Sequence, residues 1–231
     1  MLRAGPARAR TPHMQWIPLY FCFLYTATVL FGRVLWMRWR WGLERKAIYG
    51  SQSQGRARHM VLVFHAITLT ILTHCILWGL GRLSQFALIP VNAITQTIGC
   101  TLLLAGWTLV FTAQNNMGNA WRLGIAHEPT QLRTIGLFQF VRHPIYVGMI
   151  LSTTGLTVLM PTAVMACLLV LSVLGLRREA VLEERHLMQL HGESYRDYCQ
   201  STGRWCPRLR RVSSASGTTA PGTNAGQQDA A

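Results

Sequence analysis

Four stretches of the chain contain no Asp, Glu, Lys or Arg: residues 14–32, 59–81, 83–121 and 144–176. A helix needs about 20 apolar residues to cross a ~30 Å hydrocarbon core. Runs of this length therefore restrict the chain to a polytopic, all-α membrane bundle. The first two runs fit one span each. The third fits one span over 90–113, and Gln114, Asn115 and Asn116 mark its exit. The fourth is too long for one span at 1.5 Å per residue. Pro161 interrupts it, because proline lacks an N–H and starts helices more readily than it continues them. Two shorter helices, 146–159 and 162–176, are expected to form a hairpin. The total is five spans.

Charge sets the expected orientation. The 231 residues carry 22 Lys+Arg against 8 Asp+Glu, a net charge of +14. Such an excess suits nucleic acid or an anionic membrane face. The apolar runs favour the membrane. Basic short loops stay cytoplasmic. Arginines crowd 33–58, 122–142 and 177–211, while 82–89 carries one and the turn at Pro161 none. The first and third loops and the C-terminus are thus expected in the cytosol, with the N-terminus outside. Arg3, Arg8 and Arg10 run against the last point. The basic start before an apolar run also has the form of a targeting segment. However, Arg33, Trp36 and Arg38 follow the run where small residues would mark cleavage, so a retained first span is expected. The organisation reads as a basic flexible segment (1–13), three spans (14–113), a functional core (114–211) and a disordered tail (212–231) poor in apolar residues.

Other features point away from metal or nucleic acid. Six cysteines contain no CxxC pair, arguing against a zinc site. His65 and His74 are nine apart and off a common helix face, so packing or substrate-lining roles suit them better than metal. Trp36, Trp39 and Trp41 beside Arg38 and Arg40 read as an interfacial anchor among lipid headgroups. Gly99 and Gly106 can let helices approach closely.

Two polar clusters flank the fourth run. In Arg142-His143-Pro144-Ile145-Tyr146-Val147-Gly148, Pro144 suits the first turn of a helix. The free N–H groups and dipole of that end favour an anion. Arg142 adds a cation, and His143 and Tyr146 add directed hydrogen bonds. Gly148 leaves room for a flat ligand against the backbone. The second cluster runs Arg177-Arg178-Glu179-Ala180-Val181-Leu182-Glu183-Glu184-Arg185-His186-Leu187, with Gly192 as a helix stop, then Tyr195, Tyr198 and Arg204. Glu179 and Glu183 share a helix face. Each cluster alone also reads as an interfacial anchor or a solvated helix. The hairpin returns both to one membrane face, an arrangement that suits a zwitterionic ligand.

In order, these residues resemble the RHPxYxG, EExxL and GxxYxxY signatures of the isoprenylcysteine carboxyl methyltransferase-like family. Here they are Arg142 to Gly148, Glu183-Glu184-Arg185-His186-Leu187, and Gly192 to Tyr198, followed by Arg204 and Pro207. Upstream, Asn116 to Arg122 is similar to the MGxSWR segment of bacterial members, and Leu132 to Phe138 loosely to LVTSGPY. The resemblance covers about residues 116–207. It implies a helical membrane bundle binding S-adenosylmethionine without a metal. His143, Pro144, Ile145 and Tyr146 would hold the methionine part, and Glu183 with Glu184 the other end. Gln131, Leu132 and Phe138 would also touch the cofactor. Arg204 and Glu183 are the expected catalytic residues, and Arg178, Tyr195, Tyr198 and Arg204 the expected acceptor contacts. The acceptor would be lipophilic or small and would arrive from the bilayer. A prenylcysteine-like carboxylate leads, with a phospholipid amine or a small thiol as alternatives. Phe138 stands where a Tyr is usual, and Glu179 where eukaryotic members carry a substrate-binding Arg. Membrane sterol reductases share some of the C-terminal pattern and use a nicotinamide cofactor, but the chain has no GxGxxG motif.

Overall fold

The computed structural model describes residues 12–42, 55–118 and 132–208. Within them the chain is all-helical, without a strand. Helix α1 (Met14–Arg40) is followed by α2 (Gly55–Gly79), α3 (Ala93–Met117), α4 (Pro144–Leu159), α5 (Ala163–His191) and α6 (Glu193–Ser201). Of these, α1 and α3 are long and apolar enough to cross a membrane. The stretch His65–Gly79 of α2 and all of α4 are apolar but shorter. Length and composition therefore support two spans directly, where five were expected. Large apolar side chains such as Phe23, Leu35, Ile94 and Leu104 lie exposed. That pattern fits a lipid-facing surface better than a water-facing one.

The third charge-free run does not continue as one helix. Asn92 opens α3 with a capping box, its side chain accepting from the Thr95 N–H while Thr95 accepts from the Asn92 N–H. The fourth run breaks at residues 160–162, as the proline suggests. Thr162 then caps α5, its Oγ accepting the Met165 N–H. Past its apolar part α5 continues to His191, so the apolar segment and the second polar cluster form one rod.

The tightest helix pair is α3 against α4. A Cβ added at Gly148 would lie 2.6 Å from Val110 Cγ2 and 2.7 Å from the Gly106 carbonyl oxygen. One at Gly155 would lie 2.8 Å from the Gly99 carbonyl oxygen. Gly99 and Gly106 thus give the close approach expected of them, and Gly148 and Gly155 answer from α4 at the same seven-residue spacing. Cys22, Cys75, Trp78, Leu103, Leu156 and Met165 continue this core toward α1 and α2. His74 is buried and bonded through Nε2 to Thr162 Oγ1 at 2.9 Å, a helix-packing role.

Helix α1 docks through a wider π-helical turn, Thr26–Gly32. Polar side chains of α3 meet this turn. Gln114 Nε2 donates to the Val29 carbonyl (3.2 Å), and Trp107 Nε1 donates to Thr28 Oγ1 (3.0 Å). Arg33 is buried, not a loop cation. It donates to the carbonyls of Gln114 (2.8 Å) and Gly118 (2.7 Å) and to Asn115 Oδ1 (3.2 Å). The last carbonyls of a helix lack intrahelical donors, and Arg33 supplies them for α3.

Candidate active site

The site is built where the segment after α3 returns to the bundle. Gly136 has φ +64°, and a Cβ there would press on the Asn116 side chain, so glycine suits this turn best. A short 3₁₀ turn, Gly136–Gln139, follows. The chain then pairs briefly with the segment that leaves α6. The Arg142 N–H donates to the Gly203 carbonyl (2.8 Å) and the His143 N–H to the Arg204 carbonyl (3.3 Å). Pro144 opens α4 immediately afterwards.

One carboxylate organises this junction. Glu184 accepts from Arg142 Nε (3.0 Å) and from Arg204 Nε (2.9 Å) and Nη2 (2.5 Å), and it lies 3.2 Å from His143 Nε2. Burial by itself raises the Glu184 carboxyl. Hydrogen bonds from His143, Arg204 and Arg142 outweigh that effect and hold it well below the usual carboxylate range. The same contact raises Arg204 above its ordinary value. Arg142 also donates to the carbonyls of Cys199 and Thr202, fixing the end of α6. Arg142 and Glu184, both expected to face the cofactor, are thus turned inward and hold the site's walls.

The open side belongs to Glu183. Its Oε2 accepts from Tyr146 Oη at 3.0 Å and lies 3.6 Å from His143 Nδ1. The His143 and Tyr146 rings stack at 5.2 Å and 8°. Glu183 leaves 36% of its side chain exposed, against 12% for Glu184. Adjacent residues on a helix point about 100° apart, which accounts for the division between them. Glu179 lies one turn earlier. Burial raises its carboxyl, the Glu183 charge adds to this, and Arg178 offsets part of it.

The remaining expected residues separate. Tyr195 is 1% exposed and packs against Tyr198 with ring centroids 5.9 Å apart. Tyr198 Oη donates to the Phe138 carbonyl at 2.6 Å. Burial drives both hydroxyls upward, that of Tyr198 to about 12. These tyrosines fasten α6 to the site rather than lining an open surface. Phe138 and Pro144 are buried, and Leu132 and Ile145 half-buried. Gly148 turns its open face to α3 rather than to a ligand, because Val110 and Gly106 fill that space. Gln131 and residues 119–122 lie outside the described residues. Arg178 and Arg204 line a groove on the other flank of α5. Sequence reasoning missed Trp205, whose ring centre lies 5.8 Å from that of His143. Its only signal was its place beside Arg204. It also missed the Cys199 and Thr202 carbonyls, because backbone acceptors leave no mark in a sequence.

Residues 94–194 match the family model described as phospholipid methyltransferase. A solved structure of the eukaryotic intramembrane Ras methyltransferase, isoprenylcysteine carboxyl methyltransferase, has the same fold. The TM-score is 0.51 at 19% identity, covering 87% of this chain and 69% of that one. The chain is thus similar in part of its sequence to phospholipid methyltransferases, and in fold to isoprenylcysteine carboxyl methyltransferase. Among sequence relatives, methanethiol S-methyltransferase 1 of Bradyrhizobium diazoefficiens is 32% identical over 123 residues, covering 48% of this chain and 42% of that protein. The methanethiol S-methyltransferases of Crocosphaera subtropica and Pseudomonas deceptionensis are each 29% identical, over 119 and 128 residues. The matches to all three cover less than half of the relatives' length.

Proposed function

We propose that the chain transfers a methyl group from S-adenosylmethionine to a small thiol at the membrane edge. The observation that carries the cofactor reading is the Glu183 carboxylate, half open and aligned by Tyr146 and His143 at the first turn of α4. These residues fit the cofactor's two ends. The start of α4 suits a carboxylate, and Glu183 suits an ammonium or ribose hydroxyls. When bound, S-adenosylmethionine supplies a methyl group already activated on a sulfonium. The protein's share is then mainly positioning and exclusion of water. His143, Pro144, Ile145 and Tyr146 hold the methionine end and Glu183 the other. Leu132 and Phe138 would flank the cofactor. Arg142 and Glu184 act as positioning residues through the network they share with Arg204.

The thiol reading rests on the three methanethiol methyltransferases, whose likeness reaches this chain at 29–32% identity. A carboxylate acceptor is the second reading. It is favoured by Arg178 and Arg204 in one groove, since guanidinium groups pair well with planar anions. The arginine bias of the sequence supports a cytosolic position for the site. Product analysis tests the proposal. Purified protein with methyl-labelled S-adenosylmethionine should convert methanethiol to dimethyl sulfide and leave a prenylcysteine analogue unmethylated. The reverse preference overturns the thiol assignment, and turnover of neither despite cofactor binding directs attention to phospholipid amines.

A further inference from the structure

The flank of α5 opposite Glu183 is not used by this reading. A groove of about 370 Å³ is lined by Arg177, Arg178, Arg185 and Arg204 with Val181, Leu182 and Trp205. It contains no carboxylate side chain in its lining. Arg177 and Arg185 make no hydrogen bond or ion pair among the described residues. Arg204 is joined to Glu184, which leaves Arg177, Arg178 and Arg185 as three like charges that repel one another unless an anion joins them. The volume exceeds the needs of a small ion and falls in the range that holds a ligand of several hundred daltons.

The face continues along α5 toward its apolar half. Val170, Leu171 and Leu174 are 57%, 55% and 57% exposed, one and two turns before Arg177 and Arg178. Residues 170, 171, 174, 178, 181, 182 and 185 follow the three- and four-residue steps of a single helix face. A bare apolar strip thus runs into a cationic groove. The basic part, 177–185, spans ~12 Å at 1.5 Å per residue, enough to cross the ~5–8 Å headgroup layer of one leaflet. Val181 and Leu182 keep apolar surface inside the groove, which suits the glycerol end of an acyl chain.

We propose that this groove is a binding site for an anionic phospholipid. Its phosphate is held by Arg177, Arg178 and Arg185, and an acyl chain lies along Val170, Leu171 and Leu174. Guanidinium groups bind phosphate oxygens through paired donors. A zwitterionic headgroup brings an ammonium into the same arginines and is disfavoured. Arg204 contributes one wall, and its two bonds to Glu184 link lipid occupancy to the network beside the cofactor site. The proposal rests on the thiol reading, since a carboxylate acceptor would occupy the same Arg178 and Arg204, and its test uses neither cofactor nor acceptor.

Native mass spectrometry of the full chain released from detergent, titrated with phosphatidylglycerol and with phosphatidylcholine, tests it. Wild type should retain phosphatidylglycerol at least tenfold better. The double variant Arg177→Gln/Arg185→Gln should lose that preference, and Arg177→Lys/Arg185→Lys should keep most of it. The lysine pair also serves as the informative variant if the glutamine pair fails to fold. Glycerol 3-phosphate at millimolar concentration should not displace the lipid. An unchanged preference in the glutamine pair overturns the proposal. Displacement by glycerol 3-phosphate at the lipid's own apparent affinity overturns the lipid assignment in favour of a soluble phosphate.

Discussion

Helix α4 is held by opposite means at its two ends. Along its length it meets α3 through glycines, with Gly148 and Gly155 against Gly106 and Gly99 and no charge in the interface. At its start it meets α5 and the C-terminal segment through Glu184, which gathers Arg142, His143 and Arg204. Within a bilayer, lipid tails are as apolar as the side chains, so helices associate through close packing rather than hydrophobic exclusion. At the membrane edge, charge-assisted hydrogen bonds can fix side chains at set positions. The first region sets how near the helices lie, and the second sets where His143 and Glu183 point.

The sharpest break in this comparison is Glu184→Gln. It leaves three cationic or polar partners around a neutral amide, and removing one partner of a buried ion network costs about 3 kcal/mol. Thermal unfolding in detergent should show that loss, and affinity for S-adenosylhomocysteine should fall with it. Gly148→Ala attacks the other region. Its Cβ would press on the Gly106 backbone, and overpacking of this kind costs about 1–3 kcal/mol. The folded fraction should bind the cofactor nearly normally, because position 148 faces α3 and not the cofactor. Equal loss of affinity in both variants would erase the distinction between the regions.

Acid should separate them as well. The folded Glu184 carboxyl lies below its unfolded value of about 4.3. Its contribution is therefore complete above that value and is lost as pH falls through the lowered folded value. The stability gap between wild type and Glu184→Gln should stay constant at neutral pH and close only in strong acid. Gly148→Ala should show no such closing. The smallest effect is expected from Tyr198→Phe, which removes the bond to the Phe138 carbonyl and should cost about 1 kcal/mol by thermal unfolding.

Much of this was legible in the sequence. The break at Pro161, the close approach at Gly99 and Gly106 and the meeting of the two polar clusters all follow from local rules. The faces of individual residues do not. Glu183 and Glu184 are adjacent in sequence, and only the position of Arg204 decides which one turns inward. Gly148 fits a ligand contact in isolation, and its spacing to Gly155 becomes informative only once α3 lies beside it. Arg33 reads as a loop cation because its acceptors are backbone carbonyls more than 80 residues away. Tyr195 and Tyr198 match a motif, yet burial assigns them to packing. Local pattern fixes periodicity and breaks, while long-range contacts decide which polar group faces the ligand.

The most direct test of the account is equilibrium binding of S-adenosylhomocysteine and NADPH to the purified protein, in wild type and Glu183→Gln. Micromolar binding of S-adenosylhomocysteine, weakened at least tenfold in the variant with its unfolding midpoint unchanged, is the predicted result. Binding of NADPH alone, or S-adenosylhomocysteine affinity untouched by Glu183→Gln, would contradict it.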